Sequence, residues 1–356
     1  MKRRLLFLVV VSVLLIAAMV IITDPREMGD ILVKTDFTLI MCVIALYMIN
    51  GVVKAVRWFL LIRLTGGKVP LSRVYLFLLI GLMINNTTPG RIGGEPVRAY
   101  LLKQEDATPM GHGISTIFIE RIMDLIVLTS MALIGIALIL PLLLSAESNM
   151  ALMLLSFVPV IALIVILLYI ASHPALLKRS CRGVFRVFRR FSKKGWLVKI
   201  EMGLTSFLDS FIMGVREIRR ALLVQKKRGA AFVGLTVAIW VNEAARIYLI
   251  LISLPDVKAP SFGAVLIASS VATVFGAFLP IGALHATLVS SVFAALGVDM
   301  ASATTAGILT IMTSIWLSIP LGIAAMFIVG LKIDTRSGAL VKKDQDDKEH
   351  KEGQGG

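Results

Sequence analysis

Apolar residues in this chain fall into long runs rather than alternating with polar ones, and most runs have the length of a bilayer crossing. A hydrocarbon core about 30 Å thick takes about 20 helical residues. Runs at 5–22, 37–53, 114–140, 151–171, 230–254 and 301–331 predict six full spans, the last kinked near Pro320 and Gly322. Two further apolar segments are interrupted. Residues 74–84 give eleven apolar positions, about 16 Å of helix, and the sequence NNTTPGRIGGEPVRAYLL follows at 85–102. Pro89, Gly90, Gly93, Gly94 and Pro96 prevent a continuous helix there, while 97–102 suits a short returning one. Residues 261–297 are broken in the same way by Gly276, Pro280 and Gly282, and the second half, 283–298, is short for a crossing. A helix that stops half way leaves carbonyls that lipid does not satisfy, so its end belongs inside protein or beside a wet cavity.

The expected class is therefore all-α: a polytopic helical membrane protein with about six spans and two re-entrant hairpins opening to opposite faces. That is the pattern of an inverted-repeat transporter, although residue-level similarity between the halves is weak. Residues 1–331 form the transmembrane domain, with a basic amphipathic insert at 173–229, and 332–356 form a polar tail expected to be disordered and cytoplasmic.

Composition agrees: 57% of residues are hydrophobic, 17% are charged, and mean hydropathy is +0.89. The net charge of +15 does not indicate nucleic acid, because the excess is concentrated beside membrane spans. Residues 178–228 carry fifteen bases against three acids, which keeps the segment on the cytoplasmic side. Only if 74–102 enters and leaves on one face does parity place it there. Charge thus supports the first re-entrant hairpin independently of its length, with both termini cytoplasmic and the protein in the cell membrane. Within the insert, Leu197, Ile200, Leu204, Phe207, Phe211, Val215, Ile218 and Leu222 recur at steps of three and four. They mark an amphipathic helix along the inner interface, serving either as a topology determinant or as a collector of anionic headgroups.

In the first break, Arg91 and Arg98 suit a forked grip on phosphate, and the amides around Gly93 and Gly94 allow close approach of an anion. Glu95 orients the arginines, while Asn85, Asn86, Thr87 and Thr88 offer neutral partners. The competing reading is a surface loop with snorkelling arginines. Glu120, Arg121 and Asp124 lie inside a span, where charge is costly unless paired or wet. They serve as a structural lock, with Arg121 pairing to Asp124, as a clamp on Arg91 or Arg98, or as a proton or cation relay. Glu243 and Arg246, three apart, carry the same choice with more weight on structure. His285, just past the second break, is either a titrating group or a satisfied polar one. Lys54, Arg57, Trp58 and Arg63 read as the interfacial end of a span returning to the cytoplasm. Two cysteines and four histidines show no metal or disulfide spacing. With no DxD or comparable catalytic motif, neither a cofactor nor an enzymatic role is expected.

The motif N-x-x-P-G-R-x-G-G-E-x-x-R-x-Y-L-L at 86–102, together with I-E-R-x-x-D at 119–124, resembles the lysylphosphatidylglycerol synthase transmembrane-region family of flippase-like membrane proteins. The resemblance covers nearly the whole chain to about Leu331. It implies movement of a phosphate-bearing, glycosylated or aminoacylated lipid between leaflets, with Pro89, Gly90, Gly93, Gly94, Glu95, Arg98, Glu120, Arg121 and Asp124 at motif positions. An anionic lipid and the membrane are the implied partners. Members are also joined to synthases or glycosyltransferases, so the alternative role is a component of a system with a separate lipid-modifying enzyme. A synthase domain is not expected after Leu331. The second break departs from the family's P-G-G-x-G run, with Ile281, His285, Ala286 and Thr313 near positions where glycine, glutamate and arginine are usual.

Overall fold

The computed structural model describes residues 25–88, 93–145, 195–255, 257, 261–275, 282–295, 297–333 and 340–342, with single positions at 14–21 and 162–169. The expected spans at 5–22 and 151–171, the first part of the insert and most of the tail lie largely outside the described residues. Helices dominate: α1 Pro25–Lys34, α2 Phe37–Leu64, α3 Leu71–Thr87, α4 Gly94–Asp106, α5 Met110–Ser145, α6 Gly195–Val224, α7 Lys226–Ser253, α8 Phe262–Phe275, α9 Ala283–Ala295, α10 Met300–Ile311 and α11 Leu317–Val329. One π turn, Met312–Trp316, joins α10 to α11. Among the described residues four stretches, Phe37–Leu64, Met110–Leu138, Lys226–Ser253 and Met300–Val329, are long and apolar enough to cross a bilayer, while α3, α8 and α9 are short and apolar.

α3 and α4 form the first broken hairpin. Its two ends meet at one carboxylate: the Lys68 amide donates to Asp106 Oδ2 at 2.7 Å, and the Thr108 hydroxyl reaches the same oxygen at 3.3 Å. A segment whose ends share a hydrogen-bond partner returns to the face from which it entered. α8 and α9 pack against each other as the second hairpin.

The hairpins are clasped reciprocally. α3 packs along α11, in the span that follows the second hairpin, and α8 packs along α5, the span that follows the first. Glycine permits both contacts. A Cβ on Gly322 would lie 3.0 Å from the Leu79 carbonyl, and one on Gly135 would lie 2.7 Å from the Gly263 carbonyl. At the centre α2 and α7 run antiparallel: the Asp36 amide donates to the Ser253 carbonyl at 2.9 Å, while further along Asn50 donates to the Ile239 carbonyl and Arg57 to Thr236.

Equivalent elements of the two halves lie about 190 residues apart: α2 and α7 begin at 37 and 226 and α4 and α9 at 94 and 283, both 189 apart, while α3 and α8 begin at 71 and 262 and α5 and α10 at 110 and 300. At the spacing of 189 Ile122, Met123, Ile126 and Leu128 of α5 fall on Ile311, Met312, Ile315 and Leu317. Because the equivalent helices α2 and α7 are antiparallel, the repeat is inverted. The similarity between halves that looked weak along the chain becomes legible once the structure supplies the register.

Two expectations need correction and one gains detail. The second span runs on past Val53 to Leu64 and carries the expected charged end, but Arg57 and Trp58 within that end are buried rather than interfacial. Arg63 alone of that group holds an interfacial role, its guanidinium 4.7 Å over Phe59 and donating to the Gly67 carbonyl. In the last span, expected to kink near Pro320 and Gly322, Pro320 lies inside α11 and a π turn ending at Trp316 precedes it; the widened turn frees a carbonyl for tertiary use. In the insert, α6 does not merely lie along the membrane surface. Leu208, Ile212, Val215 and Ile218 are buried, Ile218 against Leu61 and Phe232, and Phe211 meets Phe118 of α5 edge-on at 5.3 Å. Leu331–Ile333 pairs antiparallel with Leu340–Lys342, so the membrane-proximal tail carries a short ladder.

Candidate functional site

The last turn of α3 carries Asn85, whose amide works in two directions across the first break. Its Oδ1 accepts from the Gly94 amide at 2.6 Å, and its Nδ2 donates to Glu95 Oε1 at 3.2 Å. Gly93, the residue before α4, supplies no side-chain cap, so Asn85 caps that helix from the neighbouring one. Such closeness demands glycine, since a Cβ on Gly94 would overlap the Gly81 carbonyl. Glu95 sits in the first turn of α4, where the helix dipole favours an anion, and accepts from Arg121 of α5.

Behind this turn lies a buried ionic network. Glu120 receives Arg98 at 2.8 Å on one oxygen and Arg57 at 3.3 Å on the other. Arg57 forks onto Asp124, at 2.5 and 3.2 Å, and also donates to Thr236 of α7. Trp240 of α7 donates its indole N–H to Asp124 at 2.9 Å. The Arg98 guanidinium lies 4.0 Å over the Trp58 ring, and Trp58 is fixed by a 2.9 Å bond to Thr116. Arg57, Arg98 and Arg121 thus face Glu95, Glu120 and Asp124, three charges against three. Charge at membrane depth is tolerated when paired in this way.

These groups line a cavity of about 290 Å³, where Lys54, Arg57, Arg98, Arg121, Glu120 and Asp124 meet apolar wall residues from α3, α5, α7 and α8. A smaller cavity of about 70 Å³ adjoins it, lined by Tyr47, Asn86, Glu243, His285 and Ser314 among others. Lys54, Leu82, Trp240 and Thr273 border both. Behind the small cavity the buried Arg246 donates to Glu243 at 2.9 Å, to the Thr313 carbonyl freed by the π turn at 3.1 Å, and lies 5.0 Å over Tyr47. His285 Nδ1 bonds the Ala272 carbonyl at 3.0 Å; since a carbonyl only accepts, that nitrogen carries the proton.

The structure brings together Asn85, Gly94, Glu95, Arg98, Glu120, Arg121 and Asp124. Gly93 lies at the bend beside Thr88. Asn86 turns the other way, donating to Ser318 at 2.8 Å with its buried Oδ1 lacking a partner among the described residues, and His285 belongs to the small cavity. Arg91 lies outside the described residues. Arg121 pairs with Glu95 rather than with Asp124. Sequence reading missed Lys54, Arg57, Trp58 and Trp240. The signal was present in the repeat: Lys54 and Arg57 fall on Glu243 and Arg246, and Asp124 on Thr313, at the spacing of 189. Arg57 to Asp124 and Arg246 to Thr313 are the same contact made twice.

An inverted pair of broken hairpins, each clasped by the other half's following span around a charged cavity, defines a polytopic membrane protein of repeat architecture. The chain matches the lysylphosphatidylglycerol synthase TM region over residues 6–322 and belongs to that family. A UPF0104 membrane protein of Methanothermobacter thermautotrophicus is 29% identical over 254 residues, 70% of this chain and 73% of that one. Another, of Pyrococcus horikoshii, is 24% identical across 90% of this chain and 96% of its own. Glycosyltransferase AglD of Haloferax volcanii is 26% identical over 129 residues, 35% of this chain and 20% of that protein.

Proposed function

We propose that the protein is a lipid translocase that carries a phosphate-bearing headgroup between leaflets while the acyl or polyprenyl tail stays in the bilayer. The observation that carries this reading is the cavity itself. It opens among two half-crossing hairpins, and its lining holds four cations, Lys54, Arg57, Arg98 and Arg121, against two carboxylates, Glu120 and Asp124, with Glu95 behind Arg121. One positive charge remains for an anionic ligand, and the apolar wall suits the first carbons of a lipid. Inverted broken repeats that meet at a polar site are the architecture of alternating access. The reading places the protein in the cell membrane with both termini cytoplasmic, and assigns it transport rather than catalysis.

A second reading is favoured by the match to a segment of a glycosyltransferase: the chain presents a lipid substrate to a separate lipid-modifying enzyme. The two part on one experiment. Vesicles containing the purified protein are loaded with headgroup-labelled phospholipids or polyprenyl phosphates, and leaflet exposure is followed with a membrane-impermeant quencher. Protein-dependent loss of the protected fraction supports translocation; binding without any change in leaflet exposure supports presentation.

A further inference from the structure

Lys54 differs from every other cation of the site. Arg57, Arg98 and Arg121 are each held by a carboxylate, whereas the Lys54 ammonium makes no hydrogen bond or salt bridge to a described residue. It stands one helical turn before Arg57 on α2, and it borders both cavities. An ammonium at this depth is costly without an anion. The repeat identifies one. The position equivalent to Lys54 on the antiparallel helix α7 is Glu243, which lines the small cavity that Lys54 also borders. The Glu243 Oε2 atom receives Arg246 and Asn50.

Building on the translocase reading, we propose that Lys54 is the residue that takes the ligand's phosphate in the large cavity, and that Glu243 receives the same ammonium when the site empties. The long, flexible stem of lysine suits a change of partner, whereas the forked, stacked arginines are fixed in place. Arg57 and Arg98 then shape the site without gripping the ligand. With Glu243 as resting partner the empty site is neutralised and resets, so lipid moves net from one leaflet to the other. Without it, an emptied site keeps an uncompensated charge, and only exchange of one lipid for another proceeds quickly.

The test uses the full-length protein with three probes: dioctanoyl phosphatidylglycerol, farnesyl phosphate, and phosphate-free dioctanoylglycerol. Lys54→Met is expected to weaken binding of a phosphate probe by about ten- to a hundredfold, the scale of one lost charge-assisted hydrogen bond, with an unchanged melting temperature. Lys54→Arg is expected to stay within about threefold of wild type. Weakening seen with one phosphate probe alone supports the assignment and tells a glycerophospholipid from a polyprenyl phosphate. Glu243→Gln is expected to bind and exchange labelled lipid normally while net translocation falls by about tenfold or more. Binding by Lys54→Met within threefold of wild type overturns the phosphate contact, and undiminished net translocation by Glu243→Gln overturns the resetting role. Wild-type protein that neither binds nor moves either phosphate probe overturns the translocase reading, and this proposal with it.

Discussion

Replacing Asp124 by alanine removes the carboxylate on which Arg57 forks and which also accepts from Trp240. Arg57 is 5% exposed and Asp124 7%, so solvent does not replace what is lost. Breaking one partner of a buried ion pair costs about 3–5 kcal/mol when the other charge is left without compensation; Arg57 keeps its 3.3 Å contact to Glu120, which it shares with Arg98, so Asp124→Ala falls at the lower end of that range. Arg57→Ala strands Asp124 and takes one of two arginines from Glu120, which places it at the upper end of that range. Replacing both, as Arg57→Met with Asp124→Leu, leaves no orphan charge, and Glu120 keeps Arg98. The double variant is therefore expected to be more stable than the sum of the single losses implies, with a coupling of about 2–3 kcal/mol. The assay is a double-mutant cycle of unfolding in mixed detergent, followed through tryptophan emission, since Trp58 and Trp240 both belong to the network. Strictly additive losses, or single variants as stable as wild type, would refute a mutually neutralising network.

In a background without Cys42 and Cys181, cysteines placed at Lys68 and Ala107 are expected to label from the same side of the membrane, because the hairpin's two ends share Asp106; labelling from opposite sides would mean that α3 and α4 cross. Gly94→Val is expected to cost about 1–3 kcal/mol in the same unfolding assay, since its side chain would enter the Gly81 carbonyl, and wild-type stability would contradict the close approach of α3 and α4. Asn85→Ala removes the cap on the Gly94 amide and is expected to cost about 0.5–2 kcal/mol, with hydrogen exchange rising first at the start of α4; unchanged exchange there would mean the cap is dispensable.

Run length and punctuation made much of the architecture legible. Eleven apolar residues followed by PGRIGGEP do not make a crossing helix, and the structure breaks the chain there; the second break at 276–281 lies between α8 and α9. The pairing of Arg98 with Glu120 and of Arg246 with Glu243 was likewise within reach of spacing and burial cost. Arg57 was not. A lysine and an arginine near the end of an apolar run are ordinarily interfacial, and what reverses that reading is tertiary: two carboxylates on α5 hold Arg57 inside, so α2 runs eleven residues further than its apolar stretch. Arg121 pairs across to Glu95 rather than along its own helix because α4 starts beside it, a neighbour that sequence spacing does not reveal. The repeat register was hidden because the halves share contacts more than residues; Thr313 stands where Asp124 does, and Glu243 where Lys54 does.

Filling the cavity tests most directly whether the headgroup passes through it. Leu82 and Thr273 border both cavities, and tryptophan at each position occupies the space that a headgroup needs. Leu138, 56% exposed and away from the cavity, serves as the control site. The measurement is quencher-based leaflet exposure of labelled phospholipid and polyprenyl phosphate in vesicles holding equal amounts of folded protein. Translocation is expected to fall to the level of protein-free vesicles in Leu82→Trp/Thr273→Trp and to stay at the wild-type level in Leu138→Trp. A well-folded Leu82→Trp/Thr273→Trp variant that still moves lipid at the wild-type rate would contradict a route through this cavity.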